Sequence, residues 1–190
     1  MVAVIDSSAT PCIREEILAS RVKKIRQIDF ARTPWMTPNG IDLARFPIDV
    51  MLRKALSADE EEFRSACSLL RSMCAAGRTE AGIFLIGLLH QYSDNYPRLS
   101  EIAEALTSFP STASAAALAA EVRRVKGSSA TRGYLRRVIK TLEMFPAEHA
   151  QHHLVALSRD PKVGPRFRQR LRALTEADRD LNYMDFDENA

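Results

Sequence analysis

The sequence predicts an all-α fold, a short right-handed α-α superhelix of about three antiparallel helix pairs. Three observations predict it. The stretch from Leu99 to Ala120 returns 36 residues later, so that Leu99, Leu106, Phe109, Pro110, Leu118 and Ala120 recur as Leu135, Leu142, Phe145, Pro146, Leu154 and Ala156, with Ile102 recurring as Val138. A fixed period of this length marks stacked helical units, each burying its apolar side only against its neighbours. The same step of 36 leads back to Phe63, Ala66, Leu70 and Met73 and forward to Leu171 and Leu174; in each copy the spacing 0, 3, 7, 10 forms one helical stripe. Finally, glycine is scarce, at 7 of 190 residues, while alanine and leucine abound, which favours helix over sheet.

Residues 1–57 read as an N-terminal helical arm that caps the first pair. A helix is expected over 11–28, with Ile13, Ile17, Val22 and Ile25 on one side, followed by the turn-rich Thr33–Gly40, an ordered loop or strap holding Trp35. A short helix from about Phe46 or Pro47 to Leu56 leads into Ser57-Ala58-Asp59-Glu60, a helix cap with acids in the first turn. The repeat region, 58–176, alternates helices over about 59–76, 79–92, 97–109, 111–125, 130–145, 147–159 and 162–176. Its breaks are Gly77, Asn95-Tyr96-Pro97, Pro110, Gly127-Ser128-Ser129, Pro146 and Asp160-Pro161. The short links at Pro110 and Pro146 predict antiparallel pairs, because proline is tolerated only in a helix's first turn. Residues 177–190 carry no apolar period and read as a frayed acidic tail.

Apolar residues are 46% and charged residues 27% of the chain, ordinary for a globular protein. The longest apolar run, Ala81–Leu89, is far too short to cross a bilayer, so no membrane role is expected. Met1–Ile5 meets Asp6 at once, without the basic start or apolar length of a secretory signal. Three cysteines, Cys12, Cys67 and Cys74, have no CxxC spacing and fit reduced thiols, so the cytoplasm is the expected compartment.

The segment Leu154–Val163, an apolar helix closing on Asp160-Pro161-Lys162-Val163, resembles the end-of-helix pattern of HEAT-type repeat proteins, and Leu171-Arg172-Ala173-Leu174 resembles the start of a next repeat. Gly164-Pro165 intervenes where that family places an arginine, and the other junctions lack Asp-Pro. The resemblance implies a solenoid whose concave surface is formed by the second helix of each pair, here about 79–92, 111–125 and 147–159.

Charge is unevenly spread. Residues 121–172 hold 13 Lys/Arg against 4 Asp/Glu, a net of +9, whereas residues 1–120 have 13 against 14 and residues 173–190 have 1 against 6. Arg132, Arg136 and Lys140 stand at i, i+4, i+8, and Arg166 and Arg170 at i, i+4, each set a row on one helix face; Arg123, Arg124 and Lys126 cluster at a helix end, where cations also suit the dipole. Such rows would attract an acidic protein or phosphates, in a salt-sensitive way. Their blander reading is a solvated helix face, partly neutralised by the acidic tail.

His149, His152 and His153 lie on one helix, one turn apart, but zinc would need further ligands and Glu148-His149-x-x-His152 is not HExxH; surface histidines are expected, and no metal or cofactor is called for. Cys67 and Cys74 sit beside Leu70 in the first stripe and read as buried, with only His90 conceivable as a base. Lys126-Gly127-Ser128-Ser129 has the ingredients of a phosphate loop in the wrong order and is set aside. The alkylpurine DNA glycosylases share the fold class, but their activity rests on paired tryptophans and this chain has one. The functional expectation is therefore a non-catalytic binding module, an adaptor or an inhibitor of immunity type, holding an acidic protein partner. Its expected contacts are His90, Arg123, Arg124, His149, His152 and His153, with Arg136, Lys140, Arg166 and Arg170 as a flanking basic rim. Nucleic-acid binding through the basic rows is the alternative, weakened by the scarcity of aromatic residues beside them.

Overall fold

The structure, a computed structural model, describes residues 34–37 and 40–184. The helix expected over 11–28 and the last residues of the acidic tail lie outside the described residues. Two units are distinguished, residues 1–46 and 47–190. The described part of the first is a small hairpin, β1 (Met36–Thr37) against β2 (Gly40–Ile41), antiparallel with Met36 opposite Ile41. Trp35 meets Phe46 edge-on at 6.2 Å between ring centroids.

The second unit is all-α. It comprises α1 (Ile48–Ala55), α2 (Glu60–Ala75), α3 (Thr79–Gln91), α4 (Tyr96–Ala105, prolonged by a 3-10 turn over Leu106–Ser108), α5 (Thr112–Arg124), α6 (Arg132–Glu143), α7 (Ala147–Arg159) and α8 (Pro165–Met184). The first of these, α1, packs on α2 and so belongs to the helical body rather than to the arm. Helix starts follow local chemistry: the Asp59 carboxylate accepts from the Glu61 and Glu62 N–H groups, the Asn95 side chain from Arg98, and the Ser111 hydroxyl from Ser114. Gly77 closes α2 with φ +86°, a conformation that glycine adopts without strain.

The register residues form the core. Phe63, Ala66, Leu70 and Met73 of α2, Leu99, Ile102 and Leu106 of α4, Leu135, Val138, Leu142 and Phe145 in and after α6, and Leu171 of α8 are all buried. Odd and even helices stack in two series, α2 on α4 on α6 and α3 on α5 on α7, with α8 against α7. Hydrogen bonds between successive units span one period: Arg71 to Ser108, Thr112 with His149, Arg123 to Asp160 (37 residues apart in each case) and Thr141 to the Ala103 carbonyl (38). The short Phe-Pro links behave differently from the expected hairpins. Helices on either side of Phe109-Pro110 and of Phe145-Pro146 touch sparingly, and the closer neighbours along the chain are α3 with α4, α5 with α6 and α7 with α8. At the first link the Phe109 ring lies directly over Gly82 of α3, where an added Cβ would come within 2.2 Å of it.

Two charged residues, Arg98 and Glu121, are buried among the described residues. Arg98, 5% exposed, donates to the Glu60 carboxylate (2.8 Å), the Ser57 and Ala58 carbonyls (2.8 and 3.0 Å) and the Tyr92 hydroxyl (3.0 Å), sandwiched near the Phe63 and Tyr92 rings. Burial by itself disfavours its charge, yet the bonds to Glu60 and Tyr92 outweigh this and raise its pKa above the usual arginine value. The α8 helix runs on to Met184, past the point where a frayed tail was expected at residue 177, because no glycine or proline follows Pro165 to end it. No helix among the described residues is long and apolar enough to cross a membrane.

Candidate anion-binding groove

The strongest concentration of unpaired charge lies where α6 and α8 begin. The α6 helix turns Tyr134, Leu135, Val138, Ile139 and Leu142 inward, which leaves Arg132 and Arg136 exposed one turn apart on the other side. Across from them Gly164-Pro165 opens α8 and presents Arg166, Phe167 and Arg170. Together these five side chains line a cleft of about 230 Å³. It continues into a larger cavity of about 410 Å³, walled by Gly127–Ser129 on one side and Gly164–Phe167 on the other, with Arg132 and Arg166 common to both. Among the described residues Arg170 is the one member with an ion-pair partner, a two-bond pair to Glu143 at 3.0 and 2.8 Å. Among the described residues Arg132, Arg136 and Arg166 meet no carboxylate.

The local backbone suits the same purpose. Gly164 has no side chain and Pro165 no N–H, so the Arg166 and Phe167 N–H groups head α8 without a side-chain cap. Opposite, the Thr131 hydroxyl turns back to the Lys126 carbonyl (2.7 Å) and bonds Ser128, tying down the Gly127–Ser129 wall instead of capping α6. Behind that wall a buried network sets the turn: Tyr134 donates to Glu121 at 2.7 Å, and Glu121, 4% exposed, takes two bonds from Arg124 at 2.8 and 2.7 Å. Burial and then the Glu121 carboxylate push the Tyr134 hydroxyl well above the usual phenol range.

The predicted contacts thus separate into four places. Arg136, Arg166 and Arg170 come together, with Arg132. Lys140 lies apart, in a cleft of about 150 Å³ beside Arg137 and Glu104, which are joined at 2.6 Å. Arg123 and Arg124 are engaged internally: Arg123 holds Asp160 at 3.1 Å and Arg124 holds Glu121, so their charge serves the fold. The Lys162 N–H and the Arg123 guanidinium keep the Asp160 carboxyl below the usual carboxylate range. The histidines occupy other positions. His90 is exposed on α3, and His149 bonds Thr112 at 3.3 Å. His152 and His153 lie ring against ring at 3.8 Å. The His153 Nε2 is buried without a hydrogen-bond partner among the described residues, and burial, His152 and Arg123 together lower its pKa. No group of three or more His, Cys, Asp or Glu among the described residues could hold a metal ion.

Two groove features escaped the sequence reading. Phe167 falls outside the 36-residue register, and Gly127-Ser128-Ser129, set aside as a phosphate loop on the order of its residues, forms a wall beside two arginines. Counting cations within contact reach of that loop, rather than matching a motif, was the signal available. No protein-family model matches the chain, and no curated protein or solved structure matches it.

Proposed function

We propose that this chain is a non-catalytic binding module, a HEAT-like right-handed superhelix of adaptor or inhibitor type, that holds an acidic protein partner. The observation that carries this reading is the grouping of Arg132, Arg136 and Arg166 around one groove, with no carboxylate paired to them among the described residues. Three guanidinium groups held together repel one another, and an anionic partner relieves that repulsion. Arg170, its two-bond fork taken by Glu143, borders the groove as a paired residue, and Lys140 extends the field along α6. The thiols of Cys67 and Cys74, pushed up by burial to about 12 and about 11, speak against cysteine nucleophiles.

Phe167 among the arginines favours a second reading, nucleic acid held by phosphates with one base stacked on the ring. Fluorescence anisotropy on the full chain separates the two. An acidic peptide is expected to bind at low salt, to weaken as salt rises, and to be released by Arg136→Glu and by Arg166→Glu. Binding that ignores both reversals removes the protein-partner reading, and an oligonucleotide that binds more tightly than the peptide replaces it.

A further inference from the structure

Resting on that reading, we infer that the larger cavity of the groove receives a phosphorylated side chain of the acidic partner, while its carboxylates run along the adjoining cleft. The cavity, about 410 Å³, is of a size that takes small ligand groups, typically ~300–1,000 Å³. Its two arginines, Arg132 on α6 and Arg166 on α8, approach from opposite walls, and neither has a carboxylate partner among the described residues. A single carboxylate brings one negative charge and leaves the cavity cationic. A phosphomonoester brings about −1.5 to −2 charges at neutral pH and three acceptor oxygens, enough for two planar guanidinium forks at once.

The wall chemistry agrees with the charge. Gly127 and Gly164 keep both rims low: a Cβ at Gly127 would meet nothing within 4 Å, and at Gly164 only the Phe167 ring at 3.9 Å. Ser129 lines one side, the Ser128 hydroxyl being engaged by Thr131, and the Arg166 and Phe167 N–H groups head α8 on the other. The adjoining cleft, with Arg136 and Arg170, is where flanking acidic residues of the same segment fit. Two abutting compartments sharing Arg132 and Arg166 suit one doubly charged group with neighbours. An extended strand of phosphates would need a longer basic track and more than one stacking ring.

The test compares three labelled probes by anisotropy on the full chain: an acidic peptide with a central phosphoserine, the same peptide with serine, and a single-stranded oligonucleotide. The phosphopeptide is expected to bind at least about tenfold more tightly than the serine peptide, a difference of about 1.4 kcal/mol. Arg132→Gln and Arg166→Gln are each expected to erase that preference, whereas Arg64→Gln, an equal loss of charge at an exposed position of α2 outside the groove, keeps it. Far-ultraviolet circular dichroism checks that the variants are folded. In the wild-type protein the Arg166 and Phe167 amide resonances should move with the phosphopeptide and not with the serine peptide. Equal binding of the two peptides, lost in Arg166→Gln, overturns the phosphate inference and leaves the acidic-partner reading standing. Binding of neither peptide overturns both, and tightest binding of the oligonucleotide overturns the inference in favour of nucleic acid.

Discussion

Replacing Arg98 with methionine keeps the length and apolar stem of the side chain but removes four donated hydrogen bonds. Two go to the Ser57 and Ala58 carbonyls, one to the Tyr92 hydroxyl and one to Glu60. Tyr92 still has its own bond to the Ala55 carbonyl at 2.6 Å, so its loss is small. The Glu60 side chain is 55% exposed and water replaces the guanidinium there, so that pair contributes about 0–1 kcal/mol. The two carbonyls lose their only charged donor in a part-buried turn, at ~1–3 kcal/mol each. The expected cost of Arg98→Met is therefore about 2–7 kcal/mol, most of it from the two carbonyls. For a helical body of this size that lowers Tm by on the order of 10 °C. Urea unfolding followed at 222 nm measures it, with Glu60→Gln as the companion variant. Should Glu60→Gln cost as much as Arg98→Met, or Arg98→Met less than about 1 kcal/mol, the weight placed on the carbonyls and rings is wrong.

Three further outcomes follow from the packing. Gly82→Ala should cost about 1–3 kcal/mol by driving a methyl group into the Phe109 ring, while Gly87→Ala on the same helix, where a Cβ meets nothing, should be neutral or gain about 0.5–1 kcal/mol; equal urea midpoints for the two would refute the clash. His153 has a pKa below the usual 6.5 when folded, so the unfolded chain binds more protons as pH falls through that value, and stability should decline below it. The urea midpoint of His153→Gln should fall less steeply than that of the wild type across this acid window; parallel curves would contradict the assignment. In a Cys12→Ser background, Cys67 and Cys74 should resist a thiol reagent at pH 8 until the protein is unfolded, given thiols held at about 12 and about 11.

The helices were largely legible. The expected spans 79–92 and 147–159 are observed as Thr79–Gln91 and Ala147–Arg159, because caps and breakers act within a few residues. The buried stripe was legible for the same reason, since a helix displays its burial as a period. What the residues did not reveal is which helices become close neighbours. Phe109-Pro110 and Phe145-Pro146 promised tight hairpins, yet a short link sets where two helices meet and not how far they diverge; the Phe109 ring is wedged on Gly82 of a third helix, α3. The candidate site was half legible. Arg136, Arg166 and Arg170 were visible as rows on helix faces. That Arg123 would be taken by Asp160, 37 residues on, is a matter of tertiary placement that no local spacing encodes.

The one-period span of the bonds between units bears on how the chain acquires its shape. The bonds from Arg71, Thr112, Arg123 and Thr141 close loops of 37 or 38 residues, and those of Arg137 and Arg170 shorter ones of 33 and 27, so these helices are tied to neighbours close in sequence. Topologies made of near-in-sequence contacts assemble quickly, since little loop entropy is surrendered before the first reward arrives. Such a polypeptide can settle one helix after another during its own synthesis. The arginine groove, made by the final layers, is then the last part of the surface to come into being.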